Sequence, residues 1–344
     1  MTRAAKPGPL NLITDVAGIR VGQAQDLDVI TGVSLILCDE PAICAVDIRG
    51  GAPGTRETDL LRSEMMGVGI NGIVLSGGSA LGLDAASGIA AAMSARGLGL
   101  QFSSDMPPVP ILPGAILFDL SNGGNKRWGC MPPYRALGIA ALDDALANTD
   151  RRFGLGTAGA GTGAKAGQLK GGLGSASVLM AQGFMVGALV AVNSIGSVLV
   201  PGTSTFWAAP FAAPGELGDQ DAIHAGSTGL DFPTDGKIDP MPGSNTTIAV
   251  IATDADLTRN EAERVAIMAQ DGIARAMRPA HTPIDGDSVF MLAIAKRPLS
   301  GDRHRQVAMI GNAAADCLAR AIARGVYEAT SIGNSRSYRD MFSQ

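Results

Sequence analysis

The sequence predicts an α/β fold with mixed sheets and helices on the outside, and three observations lead there. Short apolar runs alternate with longer Ala-rich stretches of helical period. The 344 residues are 46% hydrophobic but only 4% aromatic, with 46 glycines, so the core must use Ala, Val, Ile and Leu with backbones in close approach. No repeat of solenoid or propeller period is present, which leaves layered sheets and helices as the architecture.

Taken in order, Gly32-Val-Ser-Leu-Ile-Leu-Cys38 and Ala42-Ile-Cys-Ala-Val-Asp47 read as strands, and an early hairpin is expected between them. Glu57 to Met66 reads as a helix, Gly72-Ile-Val-Leu-Ser76 as a buried strand and Gly82 to Arg96 as a small-residue helix suited to packing on a sheet. A Pro-rich connection follows from Met106 to Pro113. Tyr134 to Asn148 is helical, and Ser175 to Met180 and Met185 to Val192 alternate like antiparallel strands. The Gly- and Pro-rich stretch from Pro201 to Asn245 has no sustained period and is too long for an idle loop. Beyond it come a strand from Thr246 to Thr253, a helix from Thr258 to Met277, a strand from Ser288 to Ala295 and a helix from Arg305 to Arg324.

Composition excludes several functions. A formal net charge of −5 with thinly spread Lys and Arg gives no electrostatic footprint for nucleic acid or an anionic membrane. Cys38, Cys44, Cys130 and Cys317 lack the C-x-x-C spacing of a zinc or redox site and the density of a secreted disulfide scaffold, so they read as reduced, mostly buried thiols. The first residues lack a signal peptide's apolar stretch and no segment reaches the length of a membrane span without Gly interruption or charge, so a cytoplasmic protein is expected.

Gly154-Leu-Gly156-Thr-Ala-Gly159 is a literal G-x-G-x-x-G, but a polar helix end precedes it and glycines continue to Gly174, so a close-packed turn is the better reading than a dinucleotide site. Only His224, His281 and His304 exist, none in an H-E-x-x-H pair or beside a G-x-S-x-G elbow. A hydrolase on this chain needs a nucleophile whose base is not histidine. An N-terminal Thr is such a device, because its own α-amine, titrating near ~7.7 to 8.0, accepts the hydroxyl proton. Pro242-Gly-Ser-Asn245-Thr246-Thr-Ile-Ala-Val-Ile has the layout a backbone cut requires, a loop rich in Pro and Gly running into a buried strand. From pattern alone, an ordinary loop-to-strand junction is the commoner explanation.

The same stretch resembles the processing site of the peptidase family typified by the L-aminopeptidase/D-esterase and the β-peptidyl aminopeptidases, which includes the nylon-oligomer (6-aminohexanoate-oligomer) endohydrolase. Thr14-Asp-Val-Ala-Gly-Ile-Arg-Val-Gly22, Asp47-Ile-Arg-Gly-Gly-Ala-Pro-Gly-Thr-Arg-Glu-Thr-Asp59, Leu75-Ser-Gly-Gly-Ser-Ala-Leu-Gly-Leu-Asp-Ala-Ala-Ser87, Gly159-Ala-Gly-Thr-Gly163, Lys170-Gly-Gly-Leu-Gly-Ser175 and Asp285-Gly-Asp287 extend the match along the chain. The resemblance implies one αββα sandwich over residues 1–344, cut before its nucleophile between Asn245 and Thr246 into an α chain of 1–245 and a β chain of 246–344. Ser244 is the rival nucleophile, but the run to Ala252-Thr-Asp254 matches when counted from Thr246, and Thr247 would face the opposite side of the strand.

Further roles follow from that resemblance. Asn193, closing a strand, would donate its amide to the oxyanion; a turn-forming Asn is the bland alternative. Asp285 and Asp287, two apart, would share one face in an extended chain and orient the Thr246 amine and hydroxyl, where a solvated turn is the alternative. They match the Asp pair of the nylon-oligomer hydrolase, whereas some aminopeptidases carry Ser and Glu. Two positions depart: Phe118 stands where that hydrolase has a substrate-facing Tyr, and Gln168 aligns with its catalytic Lys, leaving Lys165 or Lys170 as the basic group. Gly77, Gly78 and Ser79 would offer backbone N–H groups to a ligand, or simply pack a strand against a helix. The expected activity is hydrolysis of linear amides, short peptides with a free amino end or 6-aminohexanoate oligomers, without metal or organic cofactor, by a homo-oligomer, commonly a tetramer of αβ pairs. The alternatives are an aminopeptidase/esterase restricted to N-terminal residues, acyl transfer in the manner of ornithine acetyltransferase, and a non-catalytic small-molecule binding protein.

Overall fold

The computed structural model describes residues 5–67, 69–224, 235–237 and 245–342. Its strands are β1 (Ile19–Asp26), β2 (Thr31–Ile48), β3 (Thr55–Arg56), β4 (Ile70–Ser76), β5 (Gly114–Ile116), β6 (Lys165–Ala166), β7 (Leu169–Lys170), β8 (Gly172–Leu179), β9 (Met185–Asn193), β10 (Thr246–Ala255) and β11 (Ser288–Arg297). Its helices are α1 (Asp84–Ala95), α2 (Tyr134–Ala147), α3 (Arg259–Ala269), α4 (Asp271–Ala276), α5 (Arg303–Tyr327) and α6 (Tyr338–Phe342). The rival nucleophile Ser244 lies outside the described residues.

The long strand β2 belongs to two layers. Its first half pairs antiparallel with β1 and β4, and β4 continues through β5 to β3. Its second half pairs antiparallel with β11, which leads through β10 and β9 to β8. The expected hairpin between residues 38 and 42 is therefore absent. Asp39, Glu40 and Pro41 are an exposed irregularity at which the register shifts between Leu37 and Ala42, because the two halves of one strand go on to different partners.

Three apolar layers show the four-layer αββα order. Val33, Leu35, Ile89, Met93 and Leu142 pack the first sheet against α1 and α2. Val21, Ile36, Leu75, Leu189, Ile248 and Phe290 fill the space between the sheets. Val190, Ile251, Met291, Val265, Ile310 and Leu318 pack the second sheet against α3, α4 and α5. Small residues let these layers approach: a Cβ on Gly174 would sit 1.8 Å from the Ala321 carbonyl oxygen of α5.

Local signals explain most boundaries. Thr258 and Glu261 form a capping box at the start of α3, and the Asp302 side chain accepts from Arg305 N at the start of α5. The expected helix from Thr258 to Met277 breaks at Gln270, whose side-chain amide donates to the Asp47 carbonyl at 2.8 Å. Glu57 to Met66 is not a helix. It follows β3 and holds one 3₁₀ turn, Asp59–Leu61, because Glu57 has φ of 55° and residues 62–67 are exposed, leaving no apolar face to bury. The Gly154 to Gly159 motif is a turn in which Gly156 exchanges backbone hydrogen bonds with Leu173, and no strand-to-helix passage opens there. Cys38, Cys44 and Cys317 are buried free thiols and Cys130 is an exposed one. Among the described residues no helix is long and apolar enough to cross a membrane.

Candidate active site

Strand β10 fixes the position of Thr246. Along it Ile248, Val250 and Ala252 face the space between the sheets, while Ala249 and Ile251 face the helices. By this alternation Thr246 faces the inter-sheet side and Thr247 the helix side, where its hydroxyl lies 3.7 Å from Met277 Sδ. Thr246 is the first residue of the strand, is 2% exposed, and stands opposite Asn193 in the antiparallel β9–β10 register.

The peptide bond before Thr246 has two polar contacts at its carbonyl. The Thr246 hydroxyl donates to the Asn245 oxygen in a short hydrogen bond, and Gly286 N donates to the same oxygen at 2.8 Å. One donor comes from the neighbouring side chain and the other from the loop ahead of β11. Gly286 has to be small, since a Cβ there would sit 2.7 Å from Thr246 Oγ1.

The two aspartates flank this point. Asp287 accepts from Thr247 N at 2.8 Å and from His281 N at 3.0 Å, and its Oδ2 lies 2.9 Å from His281 Nδ1. Asp285 accepts from Thr282 N at 2.9 Å, from the Thr282 hydroxyl at 2.6 Å and, with its other oxygen, from Ile195 N at 3.5 Å. Both carboxylates thus meet one segment, Asp287 at His281 and Asp285 at the adjacent Thr282, while their other partners, Thr247 N and Ile195 N, belong to different parts of the fold. Burial, and then the charge of Asp287, raise the Asp285 carboxyl above its ordinary range.

Asn193 is tied on both sides of its amide. Its Nδ2 donates to the Phe118 carbonyl at 3.1 Å, and its Oδ1 accepts from Lys165 N at 2.9 Å. Phe118 thus enters the site through its backbone. A lysine that sequence reasoning missed meets Asn193 as well: Lys237 Nζ lies 3.2 Å from the Asn193 main-chain oxygen and 3.3 Å from Oδ1. Burial brings its amine down to about 7, helped by Lys165 and opposed by Asp285. Nothing in its surroundings in the sequence, a Gly- and Pro-rich stretch without period, marks Lys237. His281, outside any hydrolase motif in the sequence, meets Asp287 only through the fold.

Lys170 belongs to a different polar cluster. Its Nζ donates to the Gly161 carbonyl at 2.8 Å and the Gly171 carbonyl at 2.9 Å, and burial lowers it to about 7 against the opposing pull of Asp119. Asp119 in turn accepts from the Thr31 hydroxyl at 2.6 Å and from Gly78 N at 2.8 Å. The backbone N–H groups expected to face a ligand are spent in the same region: Gly77 N donates to Gly32 O, Gly78 N to Asp119 and Ser79 N to Leu117 O. These residues join a strand to a helix. A Cβ on Gly78 would lie 2.0 Å from the Tyr134 ring, so close packing, not ligand capture, explains the glycine.

Chemically, the arrangement presents a hydroxyl against a polarised backbone carbonyl, an amide in position beside it, and a buried amine. Among the described residues no group of three or more His, Cys, Asp or Glu is placed to hold a metal ion. The model of peptidase family S58 matches residues 11–339. An uncharacterized aminopeptidase of Mycobacterium bovis is 42% identical, covering 97% of this chain and 98% of its own length. The 6-aminohexanoate-oligomer endohydrolase of a Kocuria species is 28% identical over 80% of this chain and 73% of its own. Among solved structures, a Burkholderia beta-aminopeptidase superposes with a TM-score of 0.69 at 21% identity, covering 98% of this chain and 92% of that one. The L-aminopeptidase D-Ala-esterase/amidase of Ochrobactrum anthropi, described as a variant of the Ntn hydrolase fold, gives 0.67 at 20%, covering 96% and 91%. The chain belongs to peptidase family S58 and is an amide-bond hydrolase.

Proposed function

We propose that this chain cuts itself between Asn245 and Thr246 and then hydrolyses linear amides with Thr246 as an N-terminal nucleophile. The observation that carries the reading is the short contact between the Thr246 hydroxyl and the Asn245 carbonyl, at the point where the Gly286 N–H also polarises that carbonyl. Attack of Oγ1 on the Asn245 carbonyl carbon converts the peptide bond to an ester, and water hydrolyses the ester. The freed α-amine of Thr246 then accepts the hydroxyl proton in each turnover. The Asn193 amide donates to the oxyanion of the substrate's tetrahedral intermediate. Asp287, through the Thr247 N–H, holds the start of β10 in place, and Asp285 orders the loop beside it.

The substrates we infer are short peptides with a free amino end or 6-aminohexanoate oligomers, by likeness to the aminopeptidase and endohydrolase relatives. The working form is a cytoplasmic homotetramer of α and β pieces.

Denaturing electrophoresis with intact-mass measurement tests the cut. Wild type should give pieces ending at Asn245 and beginning at Thr246, Thr246→Ala should stay whole, and a cut at another bond would reassign the nucleophile. Release of amine from peptide amides and from 6-aminohexanoate oligomers, measured side by side, ranks the substrates. An active preparation consisting of one unbroken chain would sink the reading.

A further inference from the structure

Self-cleavage raises a proton problem that turnover does not. Before the cut, the Thr246 nitrogen is an amide without a basic lone pair, so the hydroxyl has no α-amine to receive its proton. The first cut needs another carrier near both the hydroxyl and the nitrogen that leaves.

The ladder shows where that nitrogen faces. Asn245 O accepts from Gly286, and Thr247 N donates to Asp287, so these two neighbours turn their main-chain polar groups toward the loop ahead of β11. Backbone alternation turns those of Thr246 the other way, toward β9, where Asn193 stands directly opposite. Lys237 Nζ lies on Asn193, within 3.2 Å of its main-chain oxygen and 3.3 Å of Oδ1. The backbone of Lys237 is anchored beside the same strand end, its N donating to Ile195 O at 2.9 Å.

We propose that Lys237 is the proton carrier of the self-cleavage step, an assignment that rests on Thr246 being the processed nucleophile. A neutral amine has two N–H groups and one lone pair. The two N–H groups match the two Asn193 oxygens, which leaves the lone pair for the Thr246 hydroxyl proton. As Oγ1 bonds to the Asn245 carbonyl carbon, its proton passes to Nζ and the carbonyl electron pair moves onto the oxygen that Gly286 N–H holds. When the intermediate collapses, the carbon–nitrogen bond breaks and Nζ returns the proton to the Thr246 nitrogen. The products are an ester and a free amine, and one water then hydrolyses the ester, leaving Lys237 unchanged. Asp285 and Lys165 are the titratable groups that face the amine; with burial they leave it near 7, where both protonation states are populated at neutral pH.

The test uses the full chain, made by cell-free synthesis with a labelling pulse and sampled on denaturing gels from pH 6 to 9. Wild-type cleavage should speed up through pH 7 and level off above it. Lys237→Met should cut about a hundredfold more slowly or worse and lose that inflection. Lys237→Arg, which keeps bulk and charge but holds its proton, should do no better. Restoration by Arg would mean a structural charge and overturn the assignment, as would Met at the wild-type rate and profile. A wild-type rate flat across the range overturns it without any variant. A wild type that never cuts refutes the Thr246 reading itself, whereas a cutting wild type with an equally fast Met variant refutes only the role of Lys237.

Discussion

Asn193 and Thr246 stand opposite each other at the end of the β9–β10 ladder, both 2% exposed, with the Asn193 amide clamped between the Phe118 carbonyl and the Lys165 N–H. This pairing places an amide, a hydroxyl and the Asn245 carbonyl at one edge of the inter-sheet space, held by backbone hydrogen bonds.

Asn193→Ala removes the proposed oxyanion donor and also takes from the Lys165 N–H and the Phe118 carbonyl their hydrogen bonds to Asn193. Its kcat on a peptide amide should fall by about 10²–10³. Steady-state kinetics on folded protein provide the check, and a variant within a few-fold of wild type would remove Asn193 from the mechanism.

Gly286→Ala introduces a methyl 2.7 Å from Thr246 Oγ1 and 3.0 Å from the Ala52 carbonyl oxygen. The expected result is a folded chain in which the hydroxyl is displaced and self-cleavage is strongly slowed. A time course of intact mass after synthesis would show it; cleavage at the normal pace would mean that the loop yields and that the contact has no part in the cut.

Asp287→Asn replaces a carboxylate that accepts from two backbone N–H groups with an amide that has one acceptor oxygen. Loss of a charge-assisted hydrogen bond at this buried point should cost about 1.5–3 kcal/mol and loosen the start of β10. Urea denaturation reads the stability and substrate kinetics the fall in kcat. An unchanged midpoint with unchanged kcat would contradict both effects.

Stability should depend on pH through Lys170. Its amine is lowered to about 7 in the fold and has its ordinary value of 10.5 when unfolded, so between these values the unfolded chain binds more protons and stability rises with pH. Burial of the charged form costs most below pH 7. Over pH 7 to 9 the wild-type stability should climb more steeply than that of Lys170→Met, by about 1 kcal/mol per pH unit. Equal slopes in urea denaturation would show that the amine keeps its charge when buried.

Much of the fold was legible because period and capping are local. The buried runs at Gly72 to Ser76, Met185 to Val192 and Thr246 to Thr253 are strands, and the Ala-rich segment ending near Arg96 is a helix. The hairpin expected around Pro41 failed because the same apolar runs suit a turn or one strand serving two sheets, and only the partners decide between them. Thr246, Asn193, Asp285 and Asp287 were singled out from motif spacing and family likeness, and the fold brings them to one edge of the second sheet. Lys170 was singled out too, but its amine lies on the Gly161 and Gly171 carbonyls near Asp119, while Lys237 stands in a stretch without pattern and His281 outside any histidine motif.

The sequence by itself determined the layered α/β class, the family and the junction at which a loop becomes a buried strand, since these depend on residue order and on the spacing of apolar groups. The tertiary structure alone decided which carbonyl Gly286 holds, which lysine meets Asn193 and which groups the two aspartates hold. Those facts depend on distances between segments far apart in the chain, set by strand register and side-chain packing, which no local pattern records.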